Sequence, residues 1–247
     1  MKQTKNLLKN IAVFVFWLLI WQIAAIIANQ EILIPSPLST LLALFDLGKN
    51  PQFYLAILFS LLRIISGFLL GVLVGIIGAV LAHSFGIINK TVTPLLKIIR
   101  AVPVASFIIL ALVWFKSPIL PIFIAFTTVL PIIWTETQDA LQNTDKRYIE
   151  MGKIFRLSGF KILFDIKLPF ARQTIISTSL TALGFAWKSG IAAEVICMPV
   201  NSLGGLLQEA KLYILTPEVF AITAVIAILS LLLEAFIRKL LRRFTHD

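Results

Sequence analysis

The chain alternates long apolar runs with short polar breaks, and the runs have the length of membrane-spanning helices. A span needs roughly 20 mostly apolar residues, because a rise of 1.5 Å per residue then covers a hydrocarbon core of about 30 Å. Six windows qualify, at about 11–29, 55–82, 95–114, 118–135, 173–193 and 218–237. The third and fourth are interrupted by Pro103, Pro118, Pro121 and Pro131, which leaves their ends the least regular. The second carries Gly67, Gly71, Gly75 and Gly78, the first three at four-residue spacing. That spacing puts them on one helical face and lets another helix approach closely. Packing within one subunit is the plain reading of this face, with gating or dimerisation as the alternative. After the first window, "ILIPSPLSTLLALF" (Ile32 to Phe45) has the breakers Pro35 and Pro37 and then regains helical spacing. It predicts a short amphipathic interfacial helix, capped by Ser36 or Ser39. The first apolar run follows a basic flank, but it is long and lacks a small-residue cleavage site, so it reads as a retained span and not a signal peptide.

One stretch breaks the pattern. Between the fourth and fifth windows, "KRYIEMGKIFRLSGFKILFDIKLP" (146–169) mixes six Lys/Arg and two acidic residues with apolar residues at helical spacing. Ile149, Lys153, Arg156, Phe160, Leu163 and Lys167 share one broad stripe; Ile154, Leu157 and the stem of Lys161 share another. Ser158-Gly159 divides the segment into two short helices. Such a surface fits an amphipathic element docked on a partner or lying on a membrane. The plainer alternative is a solvated loop that only carries charge.

Composition agrees with the pattern. The 247 residues are 59% hydrophobic and 14% charged, with a mean hydropathy of +0.96, whereas soluble domains average about 45–50% apolar and 25% charged. The predicted fold class is therefore all-α, a polytopic transmembrane bundle of six spans. No Gly/Ser linker divides it, so residues 1–247 read as a single transmembrane domain, and no internal repeat is visible. The formal net charge is +10, and its distribution decides its meaning. Lys2, Lys5, Lys9, Lys90, Lys97, Arg100, the 146–169 segment, Arg238, Lys239, Arg242 and Arg243 fall on one side of the six-span topology; Lys49, Lys116 and Lys211 fall on the other. That asymmetry places both termini in the cytoplasm and accounts for the basic charge by topology and anionic lipid headgroups, not nucleic acid.

Candidate chemistry is sparse. The single Cys197 excludes an internal disulfide and a cysteine metal cluster, and His83 and His246 are too few and too far apart for a metal site. There is no G-x-x-x-x-G-K-[ST] phosphate loop, H-E-x-x-H or G-x-S-x-G. No catalytic residue, metal or cofactor is predicted in this chain. Ionisable residues in or beside spans are costly and normally face an interior or water, which makes Arg63, Lys188 and Glu194, with the adjacent Trp187, the pathway candidates. Glu194 is predicted to pair with Lys188 or Arg63, a structural role that outweighs substrate contact. If a transported solute is an anion, Lys188 and Arg63 attract it. Trp17, Trp21 and Trp114 read as interfacial belt residues, and Pro103 and Gly204-Gly205 as bending points.

"EMGKIFRLSGFKILFDIKLP" resembles the EAA loop of binding-protein-dependent ATP-binding cassette (ABC) importer permeases, whose pattern is E-A-A-x3-G-x9-I-x-L-P. Glu150 falls on the Glu, and Ile166, Leu168 and Pro169 fall on I-x-L-P. Met151 and Gly152 replace the two Ala, and Arg156 replaces the Gly, with Gly159 three residues later as the expected source of the bend. "LIPSPLSTL", "SLLRIISGFLLGVLVGIIGAVLA", "TPLLKIIRAVPVASFIILALVWF" and "TALGFAWKSGIAAEV" followed by "NSLGGLL" resemble, in order, further stretches of one branch of that family. The branch holds sulfonate, taurine, nitrate, thiamine-precursor and riboflavin-type importers, and the resemblance covers nearly all of 30–240.

The resemblance implies a type I importer permease fold in a bacterial-type cytoplasmic membrane. It implies that this chain lines the pathway for a small anionic or heterocyclic solute, delivered by an extracytoplasmic binding protein. A pair of separate ATPase subunits would hold ATP and Mg²⁺, and a second permease copy, usually identical, would complete the pathway. Glu150 to Phe164 would form the coupling helix seated on the ATPase, with Phe155 and Phe160 as anchors. The rivals are a stand-alone secondary transporter or channel, for which a repeat and a charged midplane cluster are missing, a membrane enzyme, which lacks a catalytic constellation, and a scaffold that docks a cytoplasmic partner without transport.

Overall fold

A computed structural model describes residues 2–245; the side chains of Lys2, Lys5, Arg242 and Arg243 lie outside the described set, as does His246. Every regular element among the described residues is helical. In chain order these are α1 (Lys2–Ala28), α2 (Pro37–Gly48), α3 (Pro51–Ser84), α4 (Gly86–Ala101), α5 (Val104–Ala111) and α6 (Leu120–Gln142). Then follow α7 (Lys146–Ile154), α8 (Gly159–Lys161), a π-helical segment (Ile162–Lys167), α9 (Leu168–Cys197), α10 (Leu203–Leu212) and α11 (Thr216–Thr245).

The centre of the bundle is α3 against α6 against α9, and glycine sets how closely they pack. A Cβ on Gly71 would lie 2.7 Å from Val129 Cβ, one on Gly75 2.9 Å from Ile133 Cβ, and ones on Gly67 and Gly78 would run into Ile122 O and the Trp134 ring. Nearer the start of α3, Ile64 Cγ1 stands 2.6 Å from where a Cβ of Gly190 in α9 would be. In a bilayer, lipid tails are as apolar as leucine, so helices associate through such close van der Waals contact. The glycine face of the second span therefore packs within the subunit, as the plainer reading held. Phe68, Val129, Ile133, Leu183 and Trp187 complete this core.

α1 and α11 are peripheral and mostly apolar on their open faces, as lipid contact requires. In the apolar part of α1, Ile11–Ala28, no residue is buried. It is held near the bundle by Trp21, whose ring stacks on Phe220 at 5.8 Å and whose Nε1 donates to Pro35 O at 3.0 Å. The interfacial helix predicted after the first span is α2. Ser36 is its cap, accepting from Ser39 N at 3.1 Å, and Pro37 stands in the first turn, where a missing N–H costs nothing.

The third span departs from the sequence expectation. Instead of one helix over about 95–114, α4 and α5 meet at a bend of 106°. The cause is Pro103, which disfavours the helical region for the residue before it; Val102 is extended, at φ −75° and ψ 129°. Among the described residues five helices are long and apolar enough to cross a membrane, and six spans are reached when the bent pair counts as one. Pro121, in the first turn of α6, and Pro131, inside it, do not break that helix. The fifth span is longer than expected: α8, the π segment and α9 form one apolar helix of 39 residues, Gly159–Cys197.

Candidate functional site

The basic, half-apolar segment lies at one end of the bundle, beyond the ends of α3 and α6. Asp145 caps α7 by accepting from Arg147 N at 2.9 Å. The helix closes in a Schellman motif: Leu157 N donates to Gly152 O at 2.9 Å and Arg156 N to Lys153 O at 2.9 Å. That closure needs a left-handed residue, and Arg156 supplies it, with φ 53°. Gly159 does not make the bend, contrary to expectation. No glycine among the described residues has positive φ, and Gly159 simply opens α8 behind the cap Ser158, which accepts from Lys161 N at 3.3 Å. The position where the family pattern has Gly thus takes a left-handed backbone with an Arg in place.

The second half of the segment is not a separate short helix. From Gly159 onward it runs through the π-helical turn directly into α9. Gly152 locks α7 against that turn: a Cβ there would lie 2.9 Å from Ile166 Cδ1 and 3.3 Å from Ile162 Cγ1. Ile162 and Leu163 are buried, Ile166 and Leu168 half-buried, and Pro169 stands exposed in the first turn of α9. The opposite face is open and apolar. Ile154 is 79% exposed, Phe155 72% and Phe160 71%, and the rings of Phe160 and Phe164 pack at 4.5 Å. Met151 is also exposed, as are the charges of Glu150, Lys153, Arg156 and Lys161. Where α3 meets this segment, Lys167 Nζ is 2.8 Å from His83 Nε2. An ammonium can only donate, so the imidazole nitrogen accepts.

At the other end of the bundle, two of the predicted pathway residues meet. Glu194 of α9 is fully buried. Its Oε2 accepts from Ser60 Oγ at 2.7 Å and from Gly204 N at 3.2 Å, and its Oε1 lies 3.4 Å from Arg63 Nη1. Arg63 also donates to Asn201 O at 3.0 Å and Val200 O at 2.8 Å, with its guanidinium over the Phe59 ring. Ser60 Oγ in turn accepts from Leu203 N at 2.9 Å. One buried carboxylate thereby ties α3, α9 and the start of α10 together, and its oxygens are satisfied as a buried charge requires. Gly204 is needed for close approach, since a Cβ there would strike Glu194 and Val195.

The other two pathway residues separate. Trp187 sits in the core, 2% exposed, and donates from Nε1 to Ile226 O of α11 at 3.0 Å; it packs helices and lines no open surface. Lys188 is exposed on the opposite side of α9 and does not pair with Glu194. Ser60 escaped sequence reasoning, because a lone Ser in an apolar run carries no signal of a buried partner.

A family model described as binding-protein-dependent transport system inner membrane component matches residues 67–246. The chain is 26% identical to the bicarbonate transport system permease protein CmpB of Synechocystis sp., over 97% of this chain and 90% of that one. It is 27% identical to a probable ABC transporter permease protein of Haemophilus influenzae, over 97% of each. Among solved structures, the crystal structure of an amino acid ABC transporter with histidines matches with a TM-score of 0.66 at 16% identity, covering 81% of this chain and 96% of that one. That likeness concerns the fold.

Proposed function

The chain belongs to the family of binding-protein-dependent transport system inner membrane components, and from that premise we propose that it is the pathway-forming permease of an ABC importer driven through residues 146–169. The observation that carries the proposal is the open face of that segment. Met151, Ile154, Phe155 and Phe160 are exposed at the end of a bundle whose charged residues gather there. Apolar anchors ringed by charge suit a protein groove better than water, with the rim steering encounter more than supplying affinity.

In this reading a pair of ATPase subunits, which hold ATP and Mg²⁺, seats two copies of the segment, and two permease copies enclose the pathway. The same reading assigns this chain no catalytic residue or cofactor of its own. The segment and both termini lie in the cytoplasm of a bacterial-type cell, and an external binding protein docks at the α10 end. Because Phe160 begins the same helix that reaches Glu194, movement imposed on Phe160 by ATPase closure passes along a single lever. At 1.5 Å per residue that lever is roughly 50 Å long. The π-helical turn, of a kind often found at functional sites, is its elbow. The solute is small, and the bicarbonate permease among the relatives agrees with the anionic side of the expected class.

Co-purification tests the docking surface. When the chain is expressed with its cognate ABC ATPase subunit, the two purify together, and Phe160→Asp strips the ATPase while leaving the permease monodisperse. Undiminished ATPase recovery with Phe160→Asp would place the docking surface elsewhere.

A further inference from the structure

α9 crosses the membrane, yet one of its open faces is polar. Gln173, Ser177, Thr181 and Lys188 are all exposed. At about 100° per residue they fall within an arc of about 80°, which also holds Gly184 and, in the first turn of α9, the exposed Phe170. A face turned to hydrocarbon would not carry such residues, which mark interior or water-filled surfaces. Ser177 Oγ and Thr181 Oγ1 return their hydrogens to helix carbonyls, of Thr174 at 2.9 Å and Ser177 at 3.4 Å. Lys188 makes no hydrogen bond or ion pair among the described residues.

Beside this stripe lies a partly open cleft of about 280 Å³ between the break of the third span, α6 and α9. Arg100 and Val104 line it at the break, Thr127, Thr128 and Pro131 on α6, and Phe185 on α9, one turn from Lys188. Irregular backbone at membrane depth is tolerated where it is buried in protein or lines a water-filled cavity, and broken helices are recurrent markers of transported-solute sites. The polar content is one-sided. Arg100 donates to Thr135 Oγ1 at 3.2 Å and pairs with no carboxylate among the described residues. The nearest acids along α6, Glu136 and Asp139, lie beyond the cleft and line no part of it. Pro131 has no N–H, so the Thr127 carbonyl lacks its helical partner and can take a hydrogen from a bound solute.

We infer that this face of α9 and the cleft at the break form an anion-selective conduit, with Lys188 as the outer cationic station and Arg100 as the inner one. The inference rests on the permease reading above, in which two copies enclose the pathway, and it narrows the solute to a small anion. Each copy contributes two cations that form no ion pair among the described residues, so a passing anion meets four.

Charged thiol reagents test this without knowledge of the solute. In the importer assembled in liposomes, with Cys197→Ser removing the one native cysteine of this chain, Thr181→Cys is exposed to anionic methanethiosulfonate ethylsulfonate and cationic methanethiosulfonate ethyltrimethylammonium at low salt. Labelling is read as a mass shift of the permease, and rates are normalised to a free thiol. The position reacts with both reagents and favours the anionic one. Adding Lys188→Gln lowers the anionic-to-cationic rate ratio by about threefold or more, as loss of one unit charge about 10 Å away requires, while Lys188→Arg restores it. Arg100→Gln lowers the ratio in the same sense at Thr128→Cys. A ratio unchanged by both glutamine variants at reactive positions overturns the anion assignment and leaves the pathway reading standing. Thr181→Cys unreactive to both reagents overturns the pathway reading along with it.

Discussion

Arg156 holds φ 53° in a position where the family pattern has Gly, so charge and geometry there can be separated. A non-glycine residue in the left-handed region costs about 1–2 kcal/mol, and glycine returns about 0.5–1 kcal/mol of that as chain entropy. Arg156→Gly is therefore expected to raise the stability of the α7 turn by at most about 1.5 kcal/mol and to keep ATPase binding. Arg156→Val, β-branched at a left-handed position, is expected to lower both, and thermal unfolding together with ATPase co-purification reads the contrast. A second test concerns Glu194. Arg63→Met leaves a fully buried carboxylate without its cation and is expected to destabilise by about 3–5 kcal/mol. The double variant Arg63→Met, Glu194→Gln should recover much of the loss, because the two residues share one network; additive losses in detergent unfolding would contradict the pairing. The Arg63–Glu194 pair was legible in the sequence, because two opposite charges in apolar surroundings have few alternatives. Lys188 was an equal candidate partner on paper, and only its position on the far side of α9 separates it. The bend at Arg156 was illegible for the opposite reason: propensity favours Gly159, whereas the hydrogen bonds that close α7 fix the turn three residues earlier.

The helices themselves were legible from apolar length and periodicity, and the glycine spacing of the second span correctly pointed to close packing. The unread part was continuity. Pro103 turns the third span by 106°, while Pro131 leaves α6 running on, and the helix that opens after Ser158, separated from α7 as expected, is not short but runs on into α9. Whether a proline breaks a helix depends on how neighbours satisfy the freed carbonyl, which local sequence does not record. The glycine contacts give the element-scale test. Gly71→Ala brings a Cβ to 2.7 Å from Val129 and is expected to lower stability by about 1–3 kcal/mol through overpacking. Gly184→Ala meets nothing within 4 Å and is expected to be neutral or slightly stabilising through helix propensity. Equal melting temperatures for the two variants would mean that α3 and α6 are not in the contact described.

At the scale of the whole molecule, the fold places the proposed docking face at one end, a locked carboxylate node at the other, and one helix joining them. α9 carries the π-helical elbow at its start, the polar stripe along its middle and Glu194 near its end, so in the proposed reading force at Phe160 acts on the pathway without an intervening hinge loop. The central claim is that ATP hydrolysis in a partner is coupled to this bundle through 146–169. Its most direct measurement is ATP hydrolysis by the importer reconstituted in liposomes, titrated with the external binding protein loaded with its own solute. The wild-type assembly is predicted to hydrolyse ATP faster as binding protein is added. Phe160→Asp and Arg156→Asp are predicted to lose that response, while the isolated ATPase keeps its basal rate. Stimulation by the binding protein that is undiminished in both variants would contradict the account.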